Sequence, residues 1–349
     1  MKRPLLIMIT DIHLTGDNAS DTIKLVCAAI DKAVEFKLKF VYVGGDVFDS
    51  RKAQSLKALE AWMEILRYAK RMQVVLRAIP GNHDKPSYKA ERSYLDLYKD
   101  HESIELIRDY DAFAEGEYMV HMIPFFDEKE VYPQYLQRAF DAVSLIKDKK
   151  HMLITHVAID GVKNNDGSEI EGTLPSNQFN VFERVFVGHY HDYQEIGNVV
   201  YFGSIKQKNF GENNKKGLTV FFEDGTWEQQ PLPSKQYKVV KVNIDTITDK
   251  ELTELMEENG GKEDNVRFKF TGTREKIKSI DKKRFESIGI DVKCEEIDPE
   301  VNLDYTELTH FEGFTKGLIK EGWEDFSESN EVDEDTRTEG RELLIKTLE

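Results

Sequence analysis

Apolar positions along this chain alternate between two rhythms. Leu5 to Ile9 is a short continuous apolar run of the kind that fills a buried strand, and Asp21 to Lys37 carries its apolar residues at helical spacing. Phe40 to Val43 reads as the next strand, Ser55 to Arg71 as a helix and Val74 to Ile79 as a third strand. Helices are expected near Glu91 to Tyr98 and Tyr135 to Ile146, and a strand at His151 to Thr155. Strands and helices in turn predict an α/β core with a largely parallel sheet. Farther on come Val185 to Val187, Val199 to Phe202 and Leu218 to Phe222. The last of these turns at Asp224-Gly225 into Thr226 to Gln229, a hairpin that closes the core with antiparallel strands. Pro231 and Pro233 punctuate a boundary. Past them, Tyr237 to Ile244, Asp249 to Glu257, Val266 to Thr271, Arg274 to Phe285 and Asp291 to Ile297 predict a small β-α-β-α-β unit. Tyr305 to Trp323 reads as a helix with aromatic positions, followed by an acidic stretch from Glu324 to Glu339 and a short apolar-bearing end.

Residues able to bind metal cluster where the strands stop. Asp11 and His13 follow the first strand, Asp46 the second, and Asn82, His83 and Asp84 the third. His156 ends a fourth, and Gly188-His189-Tyr190-His191 follows a fifth. In open α/β sheets ligands bind at the carboxyl ends of strands, so residues distant in sequence meet at one rim. Each cluster also has a plainer reading. Thr10 to His13 could cap a helix, Gly44-Gly45-Asp46 could be a turn, and His156 alone could be a satisfied core histidine. Five such clusters in order at five strand ends make coincidence a poor explanation. Carboxylate, imidazole and amide together suit Mn²⁺, Fe²⁺ or Zn²⁺ better than Ca²⁺, which prefers oxygen throughout. No cysteine stands at a ligand position, which argues against a structural zinc knot. Asp46, between the two half-sets, has the chemistry to bridge two ions; such pairs, about 3.5 to 4 Å apart, clamp a phosphate and activate water.

Composition narrows the setting. Only Cys27 and Cys294 are present, and the first apolar run is cut short at Thr10 and Asp11, so neither a disulfide framework nor a signal peptide is expected. With no apolar run near the ~20 residues of a membrane span, a reducing cytoplasm is the expected setting. The net charge of −17 sits awkwardly with a polyanionic substrate. However, 18 of the 65 acids and only 5 of the 48 bases fall from Glu295 onward, so −13 of that charge belongs to the tail and the rest is nearly balanced.

These residues resemble the calcineurin-like metallophosphoesterases, whose D-x-H, G-D-x-x-D, G-N-H-[DE], H and G-H-x-H series stands here complete and in order across residues 5 to 205. The resemblance implies a two-sheet α/β/β/α core over residues 1–232. By it, one ion takes Asp11, His13, Asp46 and His191 and the other Asp46, Asn82, His156 and His189, with His83 left as general acid or phosphate contact. Within that superfamily the chain is most similar to the SbcD-type and meiotic-recombination-eleven nucleases and to phage recombination endonuclease subunits. Tyr201-Phe202-Gly203-Ser204 and Asn209-Phe210-Gly211-Glu212 match their G-S and F-x-E segment. By layout, residues 235–298 then stand for an α+β DNA-capping domain and 300–326 for a helical segment that binds an SbcC-type ABC ATPase at its coiled coil. Residues 327–349 are expected to form an acidic flexible tail with a short terminal helix.

One position departs from the nuclease pattern. Cellular members of that group commonly place a histidine three residues after the bridging aspartate, whereas this chain has Asp49, closer to the phosphatase form. Asp49 is therefore expected to hydrogen-bond His83 and favour its protonated state. The resemblance implies a DNA nuclease, a 3′-5′ exonuclease or single-strand endonuclease, using two divalent ions with Mn²⁺ foremost, working as a homodimer with its ATPase and located in the cytoplasm, a host's if the gene is a phage's. A phosphomonoesterase or protein phosphatase on the same site, or a non-catalytic scaffold subunit, are the alternatives.

Overall fold

The computed structural model describes residues 2–127, 129–163, 168, 174–261, 263–297 and 338. The amino-terminal half is laid down as β1 (Pro4–Ile9), α1 (Ala19–Glu35), β2 (Phe40–Val43), α2 (Leu56–Arg71), β3 (Val75–Ala78) and β4 (Ile104–Leu106). A hairpin of β5 (Asp111–Glu115) and β6 (Tyr118–Ile123) leads to α3 (Tyr132–Leu145), β7 (Lys150–His156) and β8 (Arg184–Gly188). Short strands β9 (Gln194–Ile196) and β10 (Val199–Tyr201) precede the hairpin of β11 (Leu218–Phe222) and β12 (Trp227–Gln230).

Two six-stranded sheets result, ordered β12-β11-β1-β2-β3-β4 and β5-β6-β7-β8-β10-β9. Strand side chains alternate between faces, and here both faces are covered. Ile7, Ile9, Val41 and Val43 point out under α1 and α2, whose Leu25, Ala29, Trp62 and Ile65 complete one core. Their neighbours Leu6, Met8 and Tyr42 point inward to meet Met122, Met152, Ile154 and Phe186 of the second sheet. On the far side of that sheet Leu153, Val185 and Val187 pack against Tyr132 and Leu136 of α3. The core is therefore the expected α/β/β/α sandwich. Patterning alone implied one largely parallel sheet; strands buried on both faces read alike in either sheet, and β11 runs antiparallel to β1.

The remaining described chain forms β13 (Tyr237–Asn243), α4 (Asp249–Asn259), β14 (Asn265–Gly272), α5 (Arg274–Lys278), α6 (Lys282–Glu286) and β15 (Ile290–Glu296), a three-stranded parallel sheet with its own core around Phe268, Phe270 and Phe285. Three sequence expectations change. Arg274 to Phe285 is two short helices, because Asp281 starts a new one by accepting from Lys283 N at 3.1 Å. Glu91 to Tyr98 contracts to a 3₁₀ turn at Tyr94–Tyr98, opened by a Ser93–Asp96 capping box. Strands β4, β5, β6 and β9 were not expected; β5 is the alanine-bearing DAFAE, and the buried His121 interrupts the apolar run of β6. The expected ATPase-binding segment 300–326 and all of the tail but Thr338 lie outside the described residues.

Candidate metal centre

The carboxyl ends of β1, β2 and β3 in one sheet and of β7 and β8 in the other open onto a single rim, and the loops there are stitched together before any ligand is considered. Asp11 N donates to Gly45 O at 3.0 Å, His13 N to Asp46 O at 3.1 Å and Leu14 N to Val47 O at 2.8 Å, joining the first loop to the second. Asp84 joins the second to the third: its buried carboxylate accepts from Gly81 N at 2.8 Å, Phe48 N at 2.9 Å and Val47 N at 3.2 Å. Burial and the nearby Asp46 push Asp84 up to about 7. Asp11, His13, Asp46 and His189 hold φ at 51°, 46°, 51° and 97°, a region that side-chain-bearing residues adopt only where their surroundings impose it. At Gly81 a Cβ would stand 2.2 Å from Asp46 Oδ1, so only glycine lets the third loop come this close.

The expected residues meet. His13 Nε2 and His191 Nε2 lie 2.9 Å apart, with Asp11 Oδ1 at 3.7 and 3.8 Å from them. Asp46 Oδ2 is 3.9 Å from His13 Nε2 and 3.4 Å from His156 Nε2, so it stands between two half-sets. On the other side Asn82 Oδ1 is 2.9 Å from His156 Nε2 and 2.8 Å from His189 Nδ1. His156 Nδ1 donates to Gly44 O at 2.8 Å and His191 Nδ1 to Glu212 Oε1 at 2.9 Å, which turns each Nε2 lone pair inward.

This arrangement fits divalent cations. With its Nδ1 spent on Glu212, His191 presents the Nε2 lone pair beside His13 Nε2 and the Asp11 carboxylate, a set of donors that a cation takes. Burial opposes charge on His13 and His156, yet Asp11 and Asp49 raise the first, and Asp46 the second, to about 9. Burial likewise opposes ionisation of Asp11 and Asp46, but His13 and His156 hold Asp11 well below the carboxylate range, and His156 holds Asp46 at about 2. Buried carboxylates that draw positive charge this strongly are the electrostatic requirement of a metal centre.

His83 stands at the mouth of the cluster. Its backbone N donates to Asp46 Oδ1 at 2.8 Å, and its Nε2 is 4.0 Å from Asp46 Oδ2. The expected Asp49 carboxylate contact to His83 is absent. Lys208 Nζ, at 2.6 Å, and His13 Nδ1, at 3.1 Å though poorly aligned, draw the carboxylate away, and His83 Nδ1 donates instead to the Asp49 backbone carbonyl. Burial chiefly lowers the proton affinity of His83, the reverse of the effect expected from Asp49. Two residues gain roles that the sequence did not disclose. Asp84 sits in the Gly81-Asn82-His83-Asp84 string without its loop-clamping role being legible, and Glu212, noted only as part of a matching segment, backs His191.

The calcineurin-like phosphoesterase model matches residues 5–193, more than half of the chain. This chain belongs to the calcineurin-like phosphoesterase family. Within the family it is similar to the DNA double-strand break repair protein Mre11 of Nanoarchaeum equitans, at 22% identity over 63% of this chain and 69% of that one. It is 27% identical to the SbcD subunit of the nuclease SbcCD of Staphylococcus saprophyticus, over 63% of this chain and 61% of the relative. Exonuclease subunit 1 of Enterobacteria phage T4 is 23% identical, over 76% of this chain and 67% of its own length. Membership of this family makes the chain a phosphoesterase, a hydrolase. Among the described residues, no helix is long and apolar enough to cross a membrane.

Proposed function

We propose that this phosphoesterase is a metal-dependent phosphodiesterase, the nuclease subunit of a DNA end-processing assembly, a 3′-5′ exonuclease or single-strand endonuclease that works with an SbcC-type coiled-coil ABC ATPase. Its relatives bear the names of a nuclease subunit, an exonuclease subunit and a break-repair protein. The observation that carries the reading is the pair of half-sets meeting at Asp46 with a spare imidazole, His83, at their mouth. Asp11, His13, Asp46 and His191 would hold one divalent ion, and Asp46, Asn82, His156 and His189 the other, with Mn²⁺ the preferred metal. When bound, such ions supply Lewis-acid charge to the phosphoryl oxygens and lower the pKa of the attacking water. Asp46 orients both half-sets, its Oδ1 fixed by the His83 amide. His83, with Nδ1 tied to the Asp49 carbonyl, directs Nε2 toward the leaving group and protonates the departing 3′ oxygen. Asp49 supports the site through His13 and Lys208 rather than through the ring of His83. The enzyme acts as a homodimer in the cytoplasm, a host's if the gene belongs to a phage.

Mn²⁺-dependent digestion of linear DNA, set beside p-nitrophenyl phosphate hydrolysis, tests the reading. Cleavage of the monoester with none of DNA would favour the phosphatase alternative that Asp49 keeps in view, and no activity on either would favour a scaffold. His83→Ala is expected to retain its metals and lose about 10² to 10⁴ in turnover, the range of a general acid. Full activity in that variant would remove His83 from the chemistry.

A further inference from the structure

Two loops of the centre end in a feature that the chemistry above does not use. Arg51 follows Asp49 on the second loop and Tyr88 follows Asp84 on the third, and the Arg51 guanidinium lies over the Tyr88 ring, 4.3 Å from its centroid. Tyr88 is 53% exposed, unusual for so large a ring, yet it is braced from beneath by the buried Phe125 at 5.4 Å. Phe125 is itself pinned, its N donating to Pro80 O at 2.9 Å and its O accepting from the buried Lys85 Nζ at 2.7 Å. The backbone of Arg51 is fixed as well, because its carbonyl accepts from Tyr94 Oη at 2.8 Å. Arg77, Arg108 and Arg267 all spend their guanidinium groups on carboxylates. Among the described residues of this acidic chain, no carboxylate is paired with Arg51, whose fork of donors is stacked in place and unspent. A stacked, planar, permanently charged fork is the geometry that takes phosphate oxygens in pairs. Its position is also informative: Arg51 lies two residues beyond Asp49, whose backbone carbonyl holds His83 Nδ1.

We propose that Arg51, held on Tyr88, is a binding subsite for the backbone phosphate one nucleotide from the scissile bond, on the His83 side of the centre. The proposal rests on the nuclease reading and deepens it, because it makes the enzyme prefer a strand over an isolated diester. Lys208 offers no equivalent, since its ammonium is already paired with Asp49 at 2.6 Å.

The test compares the thymidine dinucleotide TpT with the same dinucleotide bearing a 5′- or a 3′-terminal phosphate, cleaved by the full-length Mn²⁺-loaded enzyme. One phosphorylated form should be preferred by roughly 10- to 100-fold in kcat/KM, the worth of a hydrogen-bonded ionic contact, expressed mainly in KM. Arg51→Ala should bring that ratio close to one and Arg51→Glu should invert it. Arg51→Lys, the conservative variant, should keep part of it. Tyr88→Phe should preserve the ratio and Tyr88→Ala should reduce it, because the stack rather than the hydroxyl holds the arginine. A second readout needs no turnover: in chelator, single-stranded DNA bound by the Arg51→Ala protein should show a log-log salt slope shallower by about 0.7, one phosphate contact fewer. Equal cleavage of all three dinucleotides by the native enzyme, or an unchanged ratio in Arg51→Ala, overturns the subsite while leaving the nuclease reading intact. Failure to cut any dinucleotide or single-stranded DNA, with p-nitrophenyl phosphate still hydrolysed, sinks the nuclease reading and the subsite with it.

Discussion

Single side chains at this centre act in pairs, one facing the cluster and one behind it. His191 illustrates the division: Nε2 faces Asp11 and His13 while Nδ1 is held by Glu212, which also accepts from Lys208 N at 3.1 Å and lies 3.2 Å from the Lys216 ammonium. The buried Lys216 offsets the cost of burying Glu212, and it further donates to His191 O and to Asp192 Oδ1. Glu212 thus fixes both the tautomer and the orientation of the ring. Glu212→Gln, which keeps the shape and removes the charge, is expected to weaken metal affinity about 10- to 100-fold with the fold retained. Calorimetric titration with Mn²⁺ measures this, and native affinity in the variant would show that Glu212 only packs.

At the scale of elements, adjacent strands β6 and β7 carry a buried hydrogen-bonded chain outside the catalytic rim. Tyr110 Oη donates to His121 Nδ1 at 2.8 Å, His121 Nε2 donates to His151 Nδ1 at 2.8 Å, and His151 Nε2 donates to Ile146 O at 2.7 Å. The carbonyl can only accept, so the direction of every bond in the chain follows from it. Burial, with the neighbouring His151, depresses His121 to about 4. The folded state therefore binds this proton less readily than the unfolded chain, whose histidine titrates near 6.5. Stability from this group is complete above about pH 6.5 and is lost as pH falls toward 4, by about 3 kcal/mol at most. Denaturant unfolding at pH 7 and pH 5 should show a larger loss in the native protein than in His121→Gln. Equal losses would mean that the chain accommodates the proton.

The whole molecule combines a strongly acidic chain with a centre that requires cations. Chelation should lower the thermal midpoint, because ions bound by the folded centre stabilise it over the unfolded chain by mass action. Mn²⁺ at a hundred times its dissociation constant should return about 2.7 kcal/mol, read by scanning calorimetry. An unchanged midpoint would contradict a metal-dependent core. With a net charge of −17, the isolated chain is expected to bind DNA weakly and with shallow salt dependence, the ATPase proposed as its partner supplying much of the basic surface. Tight binding by the chain alone, in filter or anisotropy assays, would show that the charge is distributed otherwise.

Read without coordinates, the chain already determined its chemistry. Residues able to bind metal at five strand ends, three of them set off by glycines, need only the α/β alternation to be brought to one rim, and Asp11, His13, Asp46, Asn82, His156, His189 and His191 do meet there. Local patterning also placed β1 to β3, α1, α2 and the Asp224-Gly225 hairpin, because periodicity and turn residues act over a few positions. What spans long stretches of sequence waited for tertiary structure. The split into two sheets turns on strand partners that identical apolar runs do not distinguish. The carboxylate of Asp49 chose between His83, His13 and Lys208, the last 159 positions away, by distance and charge. Arg77 gives the same lesson: it ties β3 to β4 and to β5 of the other sheet through Glu105 and Glu115, between the rings of Phe40 and Phe113. A side chain's type is written in the sequence, but its partner is selected by the free energy of burial and charge pairing once the chain has folded.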